Sequence, residues 1–395
     1  MSVSFLLGSG VSRQAGMPMS KDITRYVLDG DVWRHTDSIY YLGPNANPAI
    51  PDDDTPRVQA FVKLLKAEID AYYVPFPRRE ADYEDIYYLA DQINGSESGV
   101  SDNPALLSLT EKLLPLVSHL LRGNTQGPPW PWTLQKLTQE TRNYVRDVTW
   151  RLIVGKKPAA LSYLAFLKDA ANDEEEVDIF TLNHDTITEQ YLAGSGIEAE
   201  DGFGPSLNNV RYWNFAGLQS STKKVRLTKL HGSVNWFEFT DGRSLFIGIP
   251  SDWDIWHTRT PTDQMQYPVG GRPLFLAGTA NKIEEYYRSR VFSELHCEFY
   301  RRLGLSRRLA VVGYGFGDRG INSRIFGWLA VPQTTMVIVH PAPASLKTHA
   351  RWELGSYWGD LEEQGRVRFI KMKAEELTWE DIKSRFETPQ HPPAS

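Results

Sequence analysis

Short apolar runs that stop at Gly, Asn, Asp or His, with stretches of helical spacing between them, predict an α/β protein built on a doubly wound parallel sheet with a large helical insertion. Three runs carry that prediction. Val3 to Leu7 ends at Gly8-Ser9-Gly10, Val177 to Leu182 at Asn183-His184-Asp185, and Leu309 to Val312 at Gly313-Tyr314-Gly315. In such sheets ligands sit at the carboxyl ends of the strands, so the residues that close these runs are expected to meet in one cleft.

The first run has the length and branching of a buried strand and leads through a glycine-rich turn to a helix start. Glycines at 8, 10 and 16 let the backbone approach a phosphate, whose charge the free N–H groups and positive dipole end of a following helix stabilise. Ser12 either caps that helix or donates its hydroxyl to a phosphate oxygen. An ordinary tight turn has the same Gly-x-Gly pattern, so the decision rests on the later strand ends.

Pro18 ends the short helix, and Ser20 is the expected N-cap of the next, with Ile23, Val27 and Leu28 on one face and Asp29-Gly30 closing it. Residues 42–56 read as a proline and aspartate loop. From Arg57 to about Asn172 the spacing is helical throughout. Phe61, Leu64, Leu65, Glu68, Ile69 and Tyr72 mark one mostly apolar stripe and Tyr83, Ile86, Tyr87, Ala90 and Ile93 a second. Further stripes follow in 105–122, 133–154 and 159–171, with 123–132 as a rigid connection; the aromatics here read as core.

At Val177 the pattern turns to strand, after a solvated turn at Glu174 to Glu176. Leu227 to Leu230 leads in the same way to His231-Gly232-Ser233. Residues 241–273 show no clear period, helical spacing returns at 281–304, and a last strand, Met336 to Val339, ends at His340-Pro341. The expectation is a single domain over 1–385 with the insertion at about 57–172, and a disordered tail at 386–395.

Composition removes several classes of function. A net charge of −6 and a pI near 5.9 argue against broad binding of a phosphate backbone, so no direct nucleic-acid binding is expected. The single cysteine, Cys297, excludes an internal disulfide framework and a cysteine-built zinc site, and no two histidines stand at ligand spacing on one helix, so no metal is expected. No apolar run is long enough to cross a bilayer and no signal peptide precedes the first strand, which predicts a cytoplasmic protein without a membrane partner.

Four motifs, GSGVSRQAGMP, TLNHD, KLHGSVNW and GYGFGD, occur in this order after their strands. Together they resemble the Rossmann-type sirtuin NAD-binding fold, and most of all its bacterial sirtuin-like NAD hydrolase branch, over residues 1 to about 345. The resemblance implies that Gly8, Ser9, Gly10, Ser12 and Gly16 form the turn that holds the NAD pyrophosphate. It implies that Asn183 and Asp185 lie near the nicotinamide-side ribose, with Asn183 catalytic. His231 matches the catalytic histidine, and Gly313, Gly315 and Asp318 match the turn beside the adenosine half. Protein-deacylating sirtuins carry four zinc-binding cysteines after the histidine and Pro-Asp-Phe-Arg after the glycine turn; this chain has only Cys297, and Pro18-Met19-Ser20-Lys21 at the second place.

The chemistry suits these residues. Nicotinamide leaves NAD as a neutral molecule, so no paired carboxylates are needed. The site must hold a conformation, favour an oxocarbenium-like transition state and orient a water. Asn183 can hold that water or the ribose hydroxyls, and His231 can accept a proton. Each also has a bland role open to it, Asn183 in a strand-end turn and His231 as a buried histidine; His184, His296 and His340 are read as structural.

The resemblance implies an NAD hydrolase releasing nicotinamide and ADP-ribose, of the kind that depletes NAD in antiphage defence. The alternatives are a module that senses NAD or an ADP-ribose derivative without cleaving it, and a protein deacylase. It further implies a homo-oligomer or a separately encoded partner, an ATPase or a nucleic-acid-handling protein. The expected gate is the stretch Tyr83-Glu84-Asp85-Ile86-Tyr87-Tyr88, an apolar stripe with two carboxylates offered to donors in the cleft.

Overall fold

Seven parallel strands form the sheet that organises the site. The computed structural model describes residues 2–46, 52–75, 80–100, 103–122, 131–278, 289–351 and 354–387. In chain order the strands are β1 (Ser2–Leu7), β2 (Val32–Arg34), β3 (Tyr40–Leu42), β4 (Glu176–Thr181), β5 (Ala199–Glu200), β6 (Phe203–Leu207) and β7 (Val210–Trp213). They continue as β8 (Val225–Lys229), β9 (Gly232–Thr240), β10 (Leu245–Pro250), β11 (Tyr267–Phe275), β12 (Arg308–Val312), β13 (Thr335–Val339) and β14 (Val367–Ile370).

The parallel sheet has the order β14-β13-β12-β1-β4-β8-β5. From β1 the chain builds outward through β4 and β8, then returns to the other side of β1 for β12, β13 and β14. The reversal lies between β1 and β12, and at such a switch point the loops leaving neighbouring strands diverge and open a crevice. Register makes the strand ends level: Leu7 pairs with both Thr181 and Val312, and Thr181 with Lys229. The residues that follow β12, β1, β4 and β8 therefore emerge at one height. Both faces of the sheet are covered, so Val3, Phe5, Leu6, Val177, Leu309, Val311 and Ile338 are all buried, and the polar residues that interrupt these runs, Ser4, Asp178, Arg226 and Thr228, are buried with them.

β14 is a strand beyond the one expected to be last. It is four residues long, pairs only with β13 at the edge of the sheet and contains a half-buried Arg368, so its apolar run is short. The stretch 241–273 is also more ordered than its sequence pattern indicates. β10 and β11 join β9, β7 and β6 in a five-stranded antiparallel sheet of order β11-β9-β10-β7-β6. β11 hides its period because its pairing with β9 shifts register between Pro268 and Pro273, with Gly270 and Gly271 at positive φ between them.

The chain divides into two compact units. One comprises Met1–Met17, Lys156–Leu276 and Lys282–Ser395 so far as these are described, and holds both larger sheets. The other is Pro18–Gly155 with Ala277–Asn281, so the helix Ser20–Asp29 and the β2–β3 hairpin go with the helices and the helix Ala165–Asp173 goes with the sheet.

In the helical unit the main elements are Asp54–Tyr73, Tyr83–Glu97, Ala105–Val117 and Leu134–Val154. Their buried faces carry Val58, Phe61, Leu65, Ile86, Ala90, Ile93, Leu137, Tyr144 and Val148, the stripes that the spacing predicts. Tyr72 is an exception: it is exposed and its neighbour Tyr73 is buried instead. Met19, not Ser20, stands at the N-cap of Ser20–Asp29, and its N–H donates to Asp22 Oδ2 at 3.1 Å.

Of the expected connection 123–132 all but Pro131 and Trp132 lies outside the described residues, as do 281–288 of the expected helix. The helix Trp379–Glu387 runs through the start of the expected tail, and 388–395 lie outside the described residues. Among the described residues no helix is long and apolar enough to cross a membrane.

Candidate functional site

The turns after β1 and β12 are built against each other. Gly8 N–H donates to the Val312 carbonyl at 3.0 Å and Gly10 N–H to the Gly313 carbonyl at 2.9 Å. A Cβ at position 8 would stand 2.5 Å from Tyr314 Cα, and one at position 10 would stand 2.8 Å from Gly313 Cα. Gly313 itself sits at φ 65°, in the left-handed region. These three glycines are thus demanded by turn packing on turn. The helix that starts at Ser9 is only four residues long, Ser9–Ser12, with Ser9 exposed and Ser12 buried. Gly16 and Gly315 have open space where a Cβ would go, although Gly16 needs its φ of 83°.

Asn183 follows β4 and is buried. Its Nδ2 donates to the Gly8 carbonyl at 3.0 Å and to Ser12 Oγ at 2.9 Å, while its own N–H is held by Thr181 Oγ1 at 3.1 Å. The amide therefore ties the end of β4 to the glycine turn of β1. Asp185 accepts the Ile187 N–H at 3.0 Å and so opens the helix Ile187–Gly194. Its carbonyl accepts Lys229 Nζ, which also lies 2.9 Å from Glu189 Oε1. Burial pushes the Glu189 carboxyl up, and Lys229 pulls against that shift.

His231 occupies the turn between β8 and β9. Gly232 behind it is at φ 75°, and a side chain there would collide with the Leu274 carbonyl. The imidazole Nε2 stands 3.2 Å from Asp318 Oδ2, with only 4% of the His231 and 7% of the Asp318 side chain exposed. Asp318 is the N-cap of the helix Arg319–Leu329, its Oδ1 accepting the Ile321 N–H at 3.0 Å. Tyr314 OH accepts the Asp318 N–H at 3.1 Å and donates to Asn322 Oδ1 at 2.9 Å. Asn322 Nδ2 in turn holds the carbonyl of Phe316, a buried residue at φ 52°. That conformation disfavours a phenylalanine by about 1 kcal/mol, so the turn is kept in shape by the groups around it.

Two histidines read from the sequence as structural lie beside His231. His296, on the helix Arg290–Leu305, bonds the Leu230 carbonyl, and burial, followed by the neighbouring His231, brings its pKa down to about 3. His184 has its ring 6.2 Å from that of His231 and 4.7 Å from that of Phe275. The sequence signal for His296 is faint, since it is one of three buried polar residues, with Glu298 and Arg302, among the apolar residues of its helix. His340 stands apart at the end of β13, where its Nδ1 accepts the Ala342 N–H at 3.0 Å.

The expected gate uses one of its carboxylates internally. Asp82 Oδ1 accepts the N–H groups of Glu84 and Asp85, Asp85 Oδ2 accepts the Asp82 N–H, and Tyr73 OH donates to Asp85 Oδ1 at 3.1 Å. Asp85 closes its own helix end in a reciprocal cap and is buried there, which corrects the reading of it as a carboxylate offered elsewhere. Among the described residues no three His, Cys, Asp or Glu side chains form a group that could hold a metal ion.

Residues 177–357 match the family model described as SIR2-like domain. A Sir2 homologue in complex with NAD aligns with 97% of this chain and 89% of its own, at 12% identity and a TM-score of 0.38. A serine-to-alanine mutant of a Sir2 homologue with ADP-ribose aligns with 97% of this chain and 91% of its own, at 10% identity and a TM-score of 0.38. A histidine-to-asparagine mutant, also with ADP-ribose, gives 97%, 91%, 10% and 0.37. No curated protein matches the chain. The matched segment takes in β4, β8 and β12 with their strand ends and leaves the β1 turn outside. The segment 177–357, which holds Asn183, His231 and Asp318, is thus similar to the SIR2-like domain.

Proposed function

We propose that the chain binds NAD at the level ends of β12, β1, β4 and β8 and hydrolyses it to nicotinamide and ADP-ribose. The observation that carries this reading is the Asn183 amide bonded to Gly8 and Ser12, one strand away from a His231 paired with Asp318. Simple binding of a dinucleotide asks for the glycine turns; it does not ask for a buried imidazole and carboxylate beside them.

In this scheme the Gly8 to Gly16 turn takes the pyrophosphate and the Gly313 and Gly315 turn lies by the adenosine half, with Asp185 near the nicotinamide-side ribose and Asp318 beside His231. The glycosidic C–N bond breaks with its electron pair passing to the pyridinium nitrogen, so nicotinamide leaves neutral. Water attacks the ribose carbon and gives its proton to His231, which later releases it to solvent. Asn183 orients the water or the ribose hydroxyls.

An enzyme of this kind, acting in the cytoplasm to deplete NAD during antiphage defence, has to be silent until triggered. Turnover per chain is then expected to rise on self-assembly or on adding a separately encoded partner. The test of the chemistry is nicotinamide release by the purified chain, with His231→Ala lowering turnover by about 100-fold or more. NAD binding without nicotinamide release would make the chain a sensing module instead, and release that depends on an acyl-lysine peptide would make it a deacylase.

A further inference from the structure

We infer that Asp318 is the positioning residue of His231, fixing the tautomer and raising the basicity of the imidazole, and does not act through direct contact with NAD. The inference rests on the hydrolase reading only in taking His231 as the base. Both oxygens of the Asp318 carboxylate face protein groups: Oδ2 stands 3.2 Å from His231 Nε2, and Oδ1 accepts the Ile321 N–H at 3.0 Å. Its backbone is fixed as well, the N–H bonded to Tyr314 OH at 3.1 Å and the helix it caps running on to Leu329. An aspartate held at three points is a rigid reference for a ring that has to point one way.

A carboxylate 3.2 Å from Nε2 favours the tautomer that carries its proton there, which leaves the lone pair of the neutral imidazole on Nδ1. A carboxylate at this distance stabilises the imidazolium that forms when Nδ1 takes a proton, and so makes the base stronger. Among the described residues, two further histidines lie beside His231. His296, on the helix Arg290–Leu305, stays neutral down to a pH of about 3 and spends one ring nitrogen on the Leu230 carbonyl. Arg324, on the helix that Asp318 caps, acts on His296 and disfavours its protonation further. His184 presents a ring tilted by 38° at 6.2 Å. The carboxylate, the acidic group 3.2 Å from Nε2, favours the charged form of His231.

The N-cap suggests the variant to use. Asn caps a helix as well as Asp does, so Asp318→Asn removes the charge and keeps the cap; Asp318→Ser, which also caps, provides a second uncharged variant. The full chain, labelled with ¹³C-histidine, is titrated by NMR, with the His231 resonance assigned from its loss in His231→Asn. The expected result is a His231 pKa lower by about one unit or more in Asp318→Asn and Asp318→Ser, and kept near its original value in Asp318→Glu. The acid limb of nicotinamide release moves to lower pH with it, and kcat falls while KM for NAD changes little. A His231 pKa that stays put in a folded Asp318→Asn or Asp318→Ser chain overturns the inference, and a raised KM alone would assign Asp318 to NAD contact. If the wild-type chain releases no nicotinamide but the pKa moves as stated, the positioning role stands and the hydrolase reading falls.

Discussion

The side-chain amide of Asn183 donates to the carbonyl of Gly8, a residue 175 positions earlier in the chain. That bond and its companion to Ser12 Oγ are buried, so Asn183 is part of the scaffold of the site as well as a candidate for its chemistry. Asn183→Ala is expected to lower stability by about 1–3 kcal/mol, since it leaves buried acceptors without their donor, and to abolish NAD cleavage. Denaturant midpoints beside turnover measure the two effects separately. A variant with unchanged midpoint would show that the staple contributes nothing.

The glycines of the site divide by what a methyl group would meet. Gly8→Ala places a Cβ 2.5 Å from Tyr314 Cα, whereas Gly315→Ala places one in open space. The first is expected to destabilise the chain by roughly 1–3 kcal/mol or more through overpacking of the two turns, and the second to leave thermal denaturation within a degree or two of wild type. Equal effects from the two substitutions would contradict the turn-on-turn packing.

His296 makes stability fall toward acid. Its pKa in the folded chain is about 3 because of burial, against about 6.5 when unfolded. Above 6.5 neither state binds the proton and pH has no effect through this group. As pH falls below that, the unfolded chain takes up a proton that the folded chain refuses, and stability is lost until the folded pKa is reached. His296→Gln should remove roughly 1–2 kcal/mol of the stability difference between pH 7 and pH 5, measured as the shift in denaturant midpoint across that interval.

If His231 and Asn183 carry the cleavage without a metal, nicotinamide release persists after dialysis against EDTA. Loss of release on chelation, with recovery on adding zinc, would refute a mechanism made only of these side chains and water.

The sequence made the central strands readable because β1, β4, β8 and β12 are covered on both faces and so carry short runs rich in apolar residues, even where a buried Asp178 or Arg226 interrupts them. It also revealed which residues close them, since Gly8, Asn183, His231 and Gly313 each stand directly after or one residue beyond a strand. β10, β11 and β14 left weaker traces. They lie in a small antiparallel sheet or at an edge, where a proline, a glycine pair or an arginine is tolerated and breaks the period. The pairing of Asp318 with His231 is not visible in the spacing, because it depends on where the β12 turn and the β8 turn come to lie in space. Asp85 misleads for the opposite reason. A carboxylate at the third position of a helix reads equally well as an exposed acid and as the far half of a cap.

β1 pairs with β12 on one side, and Arg308 at the start of that strand reaches back 306 positions to the Ser2 carbonyl. A strand with such remote neighbours has to wait until β12 has left the ribosome before it can be enclosed. A fragment that ends before Arg308 lacks Gly313 and Asp318 altogether, and with them part of the proposed site. For a protein whose proposed activity would poison the cell that makes it, the parallel topology defers competence until the turn after β12 has been made.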